Sequence, residues 1–451
     1  MKFNKTELAD FARVYGFHFD VCCGDILIAD FLRDAERGLA GKKSYMPMIP
    51  SYLKPAAKPP AGRKVLALDA GGTNLRAAVV HFDEEGGAVC EGLVKASMPG
   101  SQGKLDAEGF YAALAGVCAP LLEREPDLNG IGFCFSYPME ITKNGDGIPL
   151  VFSKEIDAPD VIGHPVGAGL CAALHKLKLK APEHIVLLND TAAALLTGAA
   201  KIPALKPSKL EEHQAPGKYR QYEPGQVMGL ILGTGFNIAY PETVIPKLGA
   251  NSYPQIIVTE SGNFNFRYQG LIDKDFDAAT KNPGAYTVEK AMSGAYLGGL
   301  CLRIFKKAVE DGVLAFARQD ELLRMESLQT RDLNEFLHSP LSGAGFGGIF
   351  APDEIDAIAA VCYLAGIVTE RAALLCSSLT AAAVIKMNAG GNPLAPVRIA
   401  VEGTTYLIYH FLRESFEARL RTTLAGFGIH DYIVMPVEQA SLIGAAVAGL
   451  A

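Results

Sequence analysis

The run KVLALDAGGTNLRAAVVHF (64–82) constrains this chain more than any other stretch of its sequence. An apolar run from Val65 to Leu68 ends in Asp69. The chain then turns through Gly71, Gly72, Thr73 and Asn74, and an alternating run resumes at Leu75. This spells strand, tight glycine turn and antiparallel strand. Two glycines let the backbone approach a ligand closely, and Thr73, Asn74 and Arg76 bring hydroxyl, amide and guanidinium donors to the tip. A carboxylate at the end of a buried strand is costly unless it is used, for example to order water around a phosphate-bound cation. The segment reads as a hairpin that grips phosphate.

The theme recurs in VMGLILGTGFNIAY (227–240), where Gly233, Thr234 and Gly235 offer N–H groups and a hydroxyl suited to outer phosphates. Alone, a GTG turn says little; beside the first hairpin it is the expected second clamp. Strand-like segments at 88–96, 130–135 and 184–188 alternate with helical patterns at 107–125 and 191–200, an α/β domain opened by a meander. Later patterns predict long helices over 286–311 and 353–386, a strand over 397–401, and helices over 406–425 and 441–450. The proline-rich stretch 46–62 can be neither regular helix nor central strand, and reads as a connector after an N-terminal helical arm.

At 451 residues and 49% hydrophobic, the chain is too long for one compact core and is expected to form two domains. A net charge of −7 without a clustered basic stripe argues against a nucleic-acid partner. No membrane span is expected, because the apolar segment LLCSSLTAAAVI (374–385) is short and flanked by charge. Nine cysteines, with no CxxC pair or Cys/His cluster, suit reduced thiols in a cytoplasmic protein. No GxxxxGK[ST] occurs, which excludes a P-loop, and GAGFGG (343–348) lacks a preceding strand and reads as a loop.

Asn189, Asp190 and Thr191 follow the apolar strand HIVLL and precede the helical TAAALLTGAA. Asn189 or Thr191 can cap that helix. Asp190 stands at the carboxyl end of a sheet strand, where α/β proteins bind ligands, and can accept a proton from a substrate hydroxyl.

Taken together, these segments resemble the hexokinase family, within the actin-like sugar kinase and ATPase superfamily. LALDAGGTNLR is similar to its first phosphate motif, LLNDTAAALLTG to its catalytic-aspartate motif, and GLILGTGFNIAY to its second phosphate motif with a sugar-binding asparagine, Asn237. GFCFSYP (132–138) resembles the sugar-domain FSFP segment, and Phe152-Ser153-Lys154 a neighbouring threonine-lysine pair. Asn282-Pro283-Gly284 with Glu289-Lys290 and SGAYLGGL, then TERAALLC (369–376), GTTY (403–406) and IGAAVAG (443–449), follow in family order, so the likeness runs from about Ser44 to Leu450.

The resemblance implies two actin-like (ribonuclease H-like) α/β domains with a ligand cleft between them. The smaller would comprise residues 63–196 plus 441–451, the larger 1–62 and 197–440. It implies transfer of the γ-phosphoryl group of ATP to the 6-hydroxyl of glucose or a related hexose, feeding glycolysis, with Asp190 as general base and closure of the domains on sugar. Ser136, Ser153, Lys154, Asn189, Asp190, Asn237, Glu260 and Glu289 would bind the sugar. Asp69, Gly71, Gly72, Thr73, Asn74, Arg76, Gly233, Thr234, Gly235, Gly403 and Thr404 would hold the nucleotide, with Mg²⁺ reached from Asp69 through water. The implied partners are hexose and ATP, and the implied state is a monomer or homodimer. A kinase of another sugar or amino sugar, or a catalytically silent sugar sensor, are the competing readings.

Several positions depart from the family pattern. The chain has no tryptophan, and Thr259-Glu260-Ser261-Gly262 replaces the usual tryptophan-containing segment. Ser153 stands for threonine, Tyr286 for a sugar-contacting glutamine and Glu402 for an aspartate. These changes bear on sugar choice and nucleotide affinity and leave the transfer residues in place.

Overall fold

The computed structural model describes residues 2–55, 59–84, 87–152, 156–180, 182, 184–200, 226–250 and 252–451. Its strands are β1 (Ile49–Pro50), β2 (Lys64–Gly71), β3 (Asn74–Phe82), β4 (Ala88–Ser97), β5 (Gly130–Phe135), β6 (Met139–Ile141), β7 (Gly147–Pro149), β8 (Ile185–Leu188), β9 (Val227–Leu232), β10 (Phe236–Glu242), β11 (Gln255–Val258), β12 (Val397–Glu402) and β13 (Tyr432–Pro436). They form a five-stranded sheet in the order β4-β3-β2-β5-β8, a six-stranded sheet β1-β11-β10-β9-β12-β13, and a small β6–β7 ribbon.

The two sheets are built alike. In the first, β2, β3 and β4 form an antiparallel meander and β5 and β8 then add in parallel. In the second, β9, β10 and β11 form the meander and β12 and β13 add in parallel. The parallel strands β5 (GIGFCF) and β8 (IVLL), the latter at the sheet edge, are buried throughout and read as unbroken apolar runs.

Two alanine-rich helices, Asp190–Ala200 and Ala440–Ala448, lie back to back between the sheets. Small residues let them approach: a Cβ on Gly444 would stand 2.1 Å from the Ala193 carbonyl oxygen. Thr197 Oγ1 donates to the Ala440 carbonyl at 3.0 Å and ties the pair. The core around them mixes Val65 and Leu188 from one sheet with Val227 and Ala400 from the other.

The far face of the larger sheet is covered by the helix Ile355–Lys386, with Gly24–Leu39 and Leu412–Gly426 against it. By length and composition alone this helix could cross a membrane, although the sequence shows only a short apolar segment there; 67% of its most apolar window is buried inside the protein. Its fully buried Arg371 binds Asp273 through both terminal nitrogens at 2.7 Å.

Three expectations need correction. The helix expected over 286–311 breaks into Thr287–Met292 and Leu297–Glu310, and that over 406–425 into Thr404–Ile408 and Leu412–Gly426, with Phe411 at φ 56° between the last two. β13 was not expected, because three of its five residues are half-exposed and form no apolar run. The proline-rich connector, read as neither regular helix nor central strand, agrees with the structure: it contributes β1, an edge strand, the place in a sheet that tolerates proline.

Candidate active site

In the first hairpin Gly71 pairs with Asn74, leaving Gly72 and Thr73 as the tip. Gly72 has φ 63°, the left-handed region that glycine adopts without penalty. Asp69 is buried at the end of β2 and faces Arg76 across the strands; Arg76 Nε donates to Asp69 Oδ2 at 2.7 Å and a terminal nitrogen binds the same oxygen. The Tyr137 hydroxyl donates to the Gly72 carbonyl and ties the 135–138 segment to the tip.

The second hairpin turns at Gly233, Thr234 and Gly235. The break in the long helix holds this turn. The Gly233 carbonyl accepts from Gly294 N–H and from Thr405 Oγ1, each at 2.8 Å, and the Thr234 carbonyl accepts from Ser293 Oγ at 2.9 Å and Ala295 N–H at 3.1 Å. Gly403 sits at φ 137°, and a Cβ there would lie 2.2 Å from the Leu232 carbonyl oxygen. Only glycine fits where β12 meets the turn.

Both hairpins open onto one groove of about 780 Å³, lined by Asp69, Gly71, Gly72, Asn74, Arg76, Gly233, Thr234, Gly235, Gly403 and Thr404. Thr73 is exposed at the tip and is not among the lining residues.

A second cavity of about 260 Å³ adjoins it, lined by Ser136, Asn189, Asp190, Asn237, Glu260 and Glu289 among others. Asn237 Nδ2 donates to Glu260 Oε1 at 3.0 Å, and Phe236 N–H donates to Glu289 Oε2 at 2.9 Å. Glu260 and Tyr286 both hold φ 56°, a conformation that side chains other than glycine adopt at some energetic expense and that clusters at functional sites. Ser153 and Lys154 lie outside the described residues. Asn189 does the capping: its Oδ1 accepts from Thr191 N–H at 2.8 Å, while Thr191 Oγ1 donates to Asp190 Oδ1 at 3.1 Å. Asp190 is thereby oriented without having to serve as the cap.

Charge crowds these walls. Burial pushes the Glu260 carboxyl up to about 7; Asp190 and Glu289 push the same way, and the Asn237 amide pulls back. Burial, with Asp190 nearby, likewise raises Glu402 to about 7.

The sequence did not single out Ile49 and Ser51, which the connector delivers to the smaller cavity, nor Asn263. It also missed Lys95 and Gln439 in the groove. Ser51 and Lys95 reach these walls through strand pairing, which local pattern does not specify. Gln439, at φ 54° immediately before a helix, is likewise invisible to residue type.

Paired glycine hairpins facing a carboxylate-lined polar cavity define a phosphotransferase architecture. Two family models described as hexokinase match the chain, one over residues 25–200 and the other over 227–451. Hexokinase-1 of Oryza sativa is 28% identical over 93% of this chain and 85% of its own length; Hexokinase-1 of Schizosaccharomyces pombe is 26% identical over 92% and 85%. Hexokinase-3 of Rattus norvegicus is 26% identical over 84% of this chain, which spans only 40% of that protein. The structure of a hexokinase from Schistosoma mansoni complexed with glucose superposes with a TM-score of 0.75 at 23% identity, covering 99% of this chain and 100% of that one. The chain belongs to the hexokinase family and has its actin-like fold. It is an ATP-dependent sugar kinase.

Proposed function

We propose that this chain transfers the γ-phosphoryl group of ATP to the 6-hydroxyl of glucose or a related hexose. One observation carries the reading: Ser136, Asp190 and Gly235 line both the small polar cavity and the two-hairpin groove. A hydroxyl held in the cavity would meet a phosphate held in the groove at Asp190.

In this reading the smaller cavity is the sugar site. Neutral polyols are held by groups that accept from and donate to several hydroxyls, as carboxylates and amides do. Asp190 takes the proton from the 6-hydroxyl as its oxygen bonds to the γ-phosphorus, the bond to the bridging oxygen breaks, and ADP leaves. The hairpin glycines, Thr234, Thr404 and Arg76 hold the phosphates, and the adenosine lies on the Gly403 side. Among the described residues, no three His, Cys, Asp or Glu side chains are grouped to hold a metal ion. Asp69 has one oxygen engaged by Arg76, while Oδ1 lies beside Gly71, where a Cβ would stand 3.9 Å from it. This fits Mg²⁺ liganded mainly by phosphate and water, with Asp69 reaching it through water. Such an ion would neutralise phosphate charge. The two sheets with their flanking helices would be the two domains, divided as the family resemblance implies.

Purified protein with ATP and magnesium is expected to yield hexose 6-phosphate and ADP in a coupled assay against glucose, fructose, mannose and N-acetylglucosamine. Absence of product from every hexose, with folded protein, would reject the reading. Turnover of the amino sugar alone would favour the competing substrate class.

Glu260 supplies a pH test. Ionised, it accepts from sugar hydroxyls more strongly and at both oxygens, so sugar affinity is expected to weaken as pH falls through 7. Stability runs the other way. A carboxyl raised in the folded state contributes stability that is complete below its unfolded value, near 4.5, and is lost as pH rises through 7. Glu260→Gln is therefore expected to stabilise the sugar-free protein at pH 8 by up to about 2 kcal/mol, less at pH 5, and to abolish sugar binding. Thermal unfolding at the two pH values checks this; an equal shift at both would show that Glu260 carries no raised pKa.

A further inference from the structure

The first hairpin is held near its tip at three carbonyls. Ala70 accepts from Ser136 N–H at 2.9 Å, Thr73 from Met98 N–H at 2.9 Å, and Gly72 from the Tyr137 hydroxyl. The first two donors are backbone groups, which almost any residue would supply. The third belongs to a side chain, and it stands where the family segment FSFP has phenylalanine: this chain reads FSYP over 135–138.

Tyr137 lines the smaller cavity beside Ser136 and is not among the residues lining the groove. Its ring is buried, with its centre 4.9 Å from that of Phe135 and 5.3 Å from that of Phe152. Burial, with Asp69 nearby, pushes the hydroxyl up to about 12, so it stays protonated and donates. The peptide that follows Gly72 is planar and trans. Holding its carbonyl toward Tyr137 therefore turns the Thr73 N–H the opposite way. Gly72, at φ 63° and without a side chain, would otherwise leave that peptide free to reorient. We propose that Tyr137 is a positioning residue, whose hydroxyl sets the phosphate-gripping tip of the first hairpin from the wall of the sugar cavity. The inference rests on reading the groove as the nucleotide site. The plainer alternative is that a buried hydroxyl needs an acceptor, and the Gly72 carbonyl merely supplies one.

Tyr137→Phe separates the two roles, because it removes one oxygen and keeps the ring stack. Calorimetric titration with ATP·Mg²⁺ in the absence of hexose is expected to show affinity falling about fivefold, the scale of one lost hydrogen bond. The KM for ATP·Mg²⁺ should rise by a similar factor while the KM for hexose stays at the parent value. In the ligand-free protein, amide exchange over 71–74 should quicken about as much. Parent-like nucleotide affinity and parent-like exchange would overturn the proposal in favour of the plainer role. An equal loss of hexose and nucleotide affinity, with lower thermal stability, would overturn it in favour of general packing. If the parent binds ATP·Mg²⁺ but phosphorylates no sugar, the proposed reaction fails, while the affinity and exchange comparisons still decide the role of Tyr137.

Discussion

In an Asp190→Ala variant kcat is expected to fall by about 10² or more, the low end of what a general base contributes, while sugar affinity changes only modestly. The residue lies where the polar cavity and the phosphate groove meet. Thr191 Oγ1, donating to Oδ1 at 3.1 Å, orients it. Because Asn189 caps the helix that follows, removing the Asp190 carboxylate should leave that helix intact and thermal stability near the parent value. Removing a negative charge beside Glu260 and Glu402 should also relax both of those carboxyls toward ordinary values. A variant with lower kcat, normal stability and retained sugar binding fits a base acting in the transition state. Near-parent turnover would end the role of Asp190 and direct the search to Glu402, which lines the same groove.

Much of this site is legible in the sequence because its parts are local. The glycine turns of both hairpins, the strand-end position of Asp190 and the Asn189 cap all follow from short-range spacing and residue chemistry. What tertiary contact decides is not legible. Residues 293–296 read as helix, yet they break it because Ser293, Gly294 and Ala295 bind the carbonyls of the second hairpin. The Asn237–Glu260 pair depends on β10 and β11 lying side by side, with Ala239 opposite Val258. Lys95 becomes a neighbour of Arg76 only through strand register. The core helix Ile355–Lys386 reads as apolar only over its later part, because Thr369 and Arg371 interrupt the pattern before it; both are buried in the fold.

Hexose alone is expected to draw the two lobes together and to switch on phosphoryl transfer. Water is chemically as able an acceptor as a sugar hydroxyl, so a permanently assembled site would hydrolyse ATP. Making assembly depend on the sugar avoids this. The side chains are distributed for such a device. Ser136, Asn189 and Asp190 sit at the ends of β5 and β8 in one sheet; Asn237, Glu260 and Glu289 come from β10 and the segments beside it in the other. Without ligand, Asp190, Glu260 and Glu289 line one small cavity, and the first and last disfavour the charge on Glu260. A polyol whose hydroxyls donate to all three relieves that repulsion and bridges the lobes. The chain crosses between the sheets at 437–440, where Gln439 holds φ 54°, a position able to absorb the backbone change of a hinge. Small-angle scattering should therefore show a more compact molecule with glucose than without. Amide exchange over 136–152 should slow on glucose binding. ATP hydrolysis without sugar should run roughly a hundredfold or more below the kinase rate, as expected for reacting groups not yet in register. Unchanged scattering together with brisk sugar-independent ATP hydrolysis would show that the site is assembled before the sugar arrives.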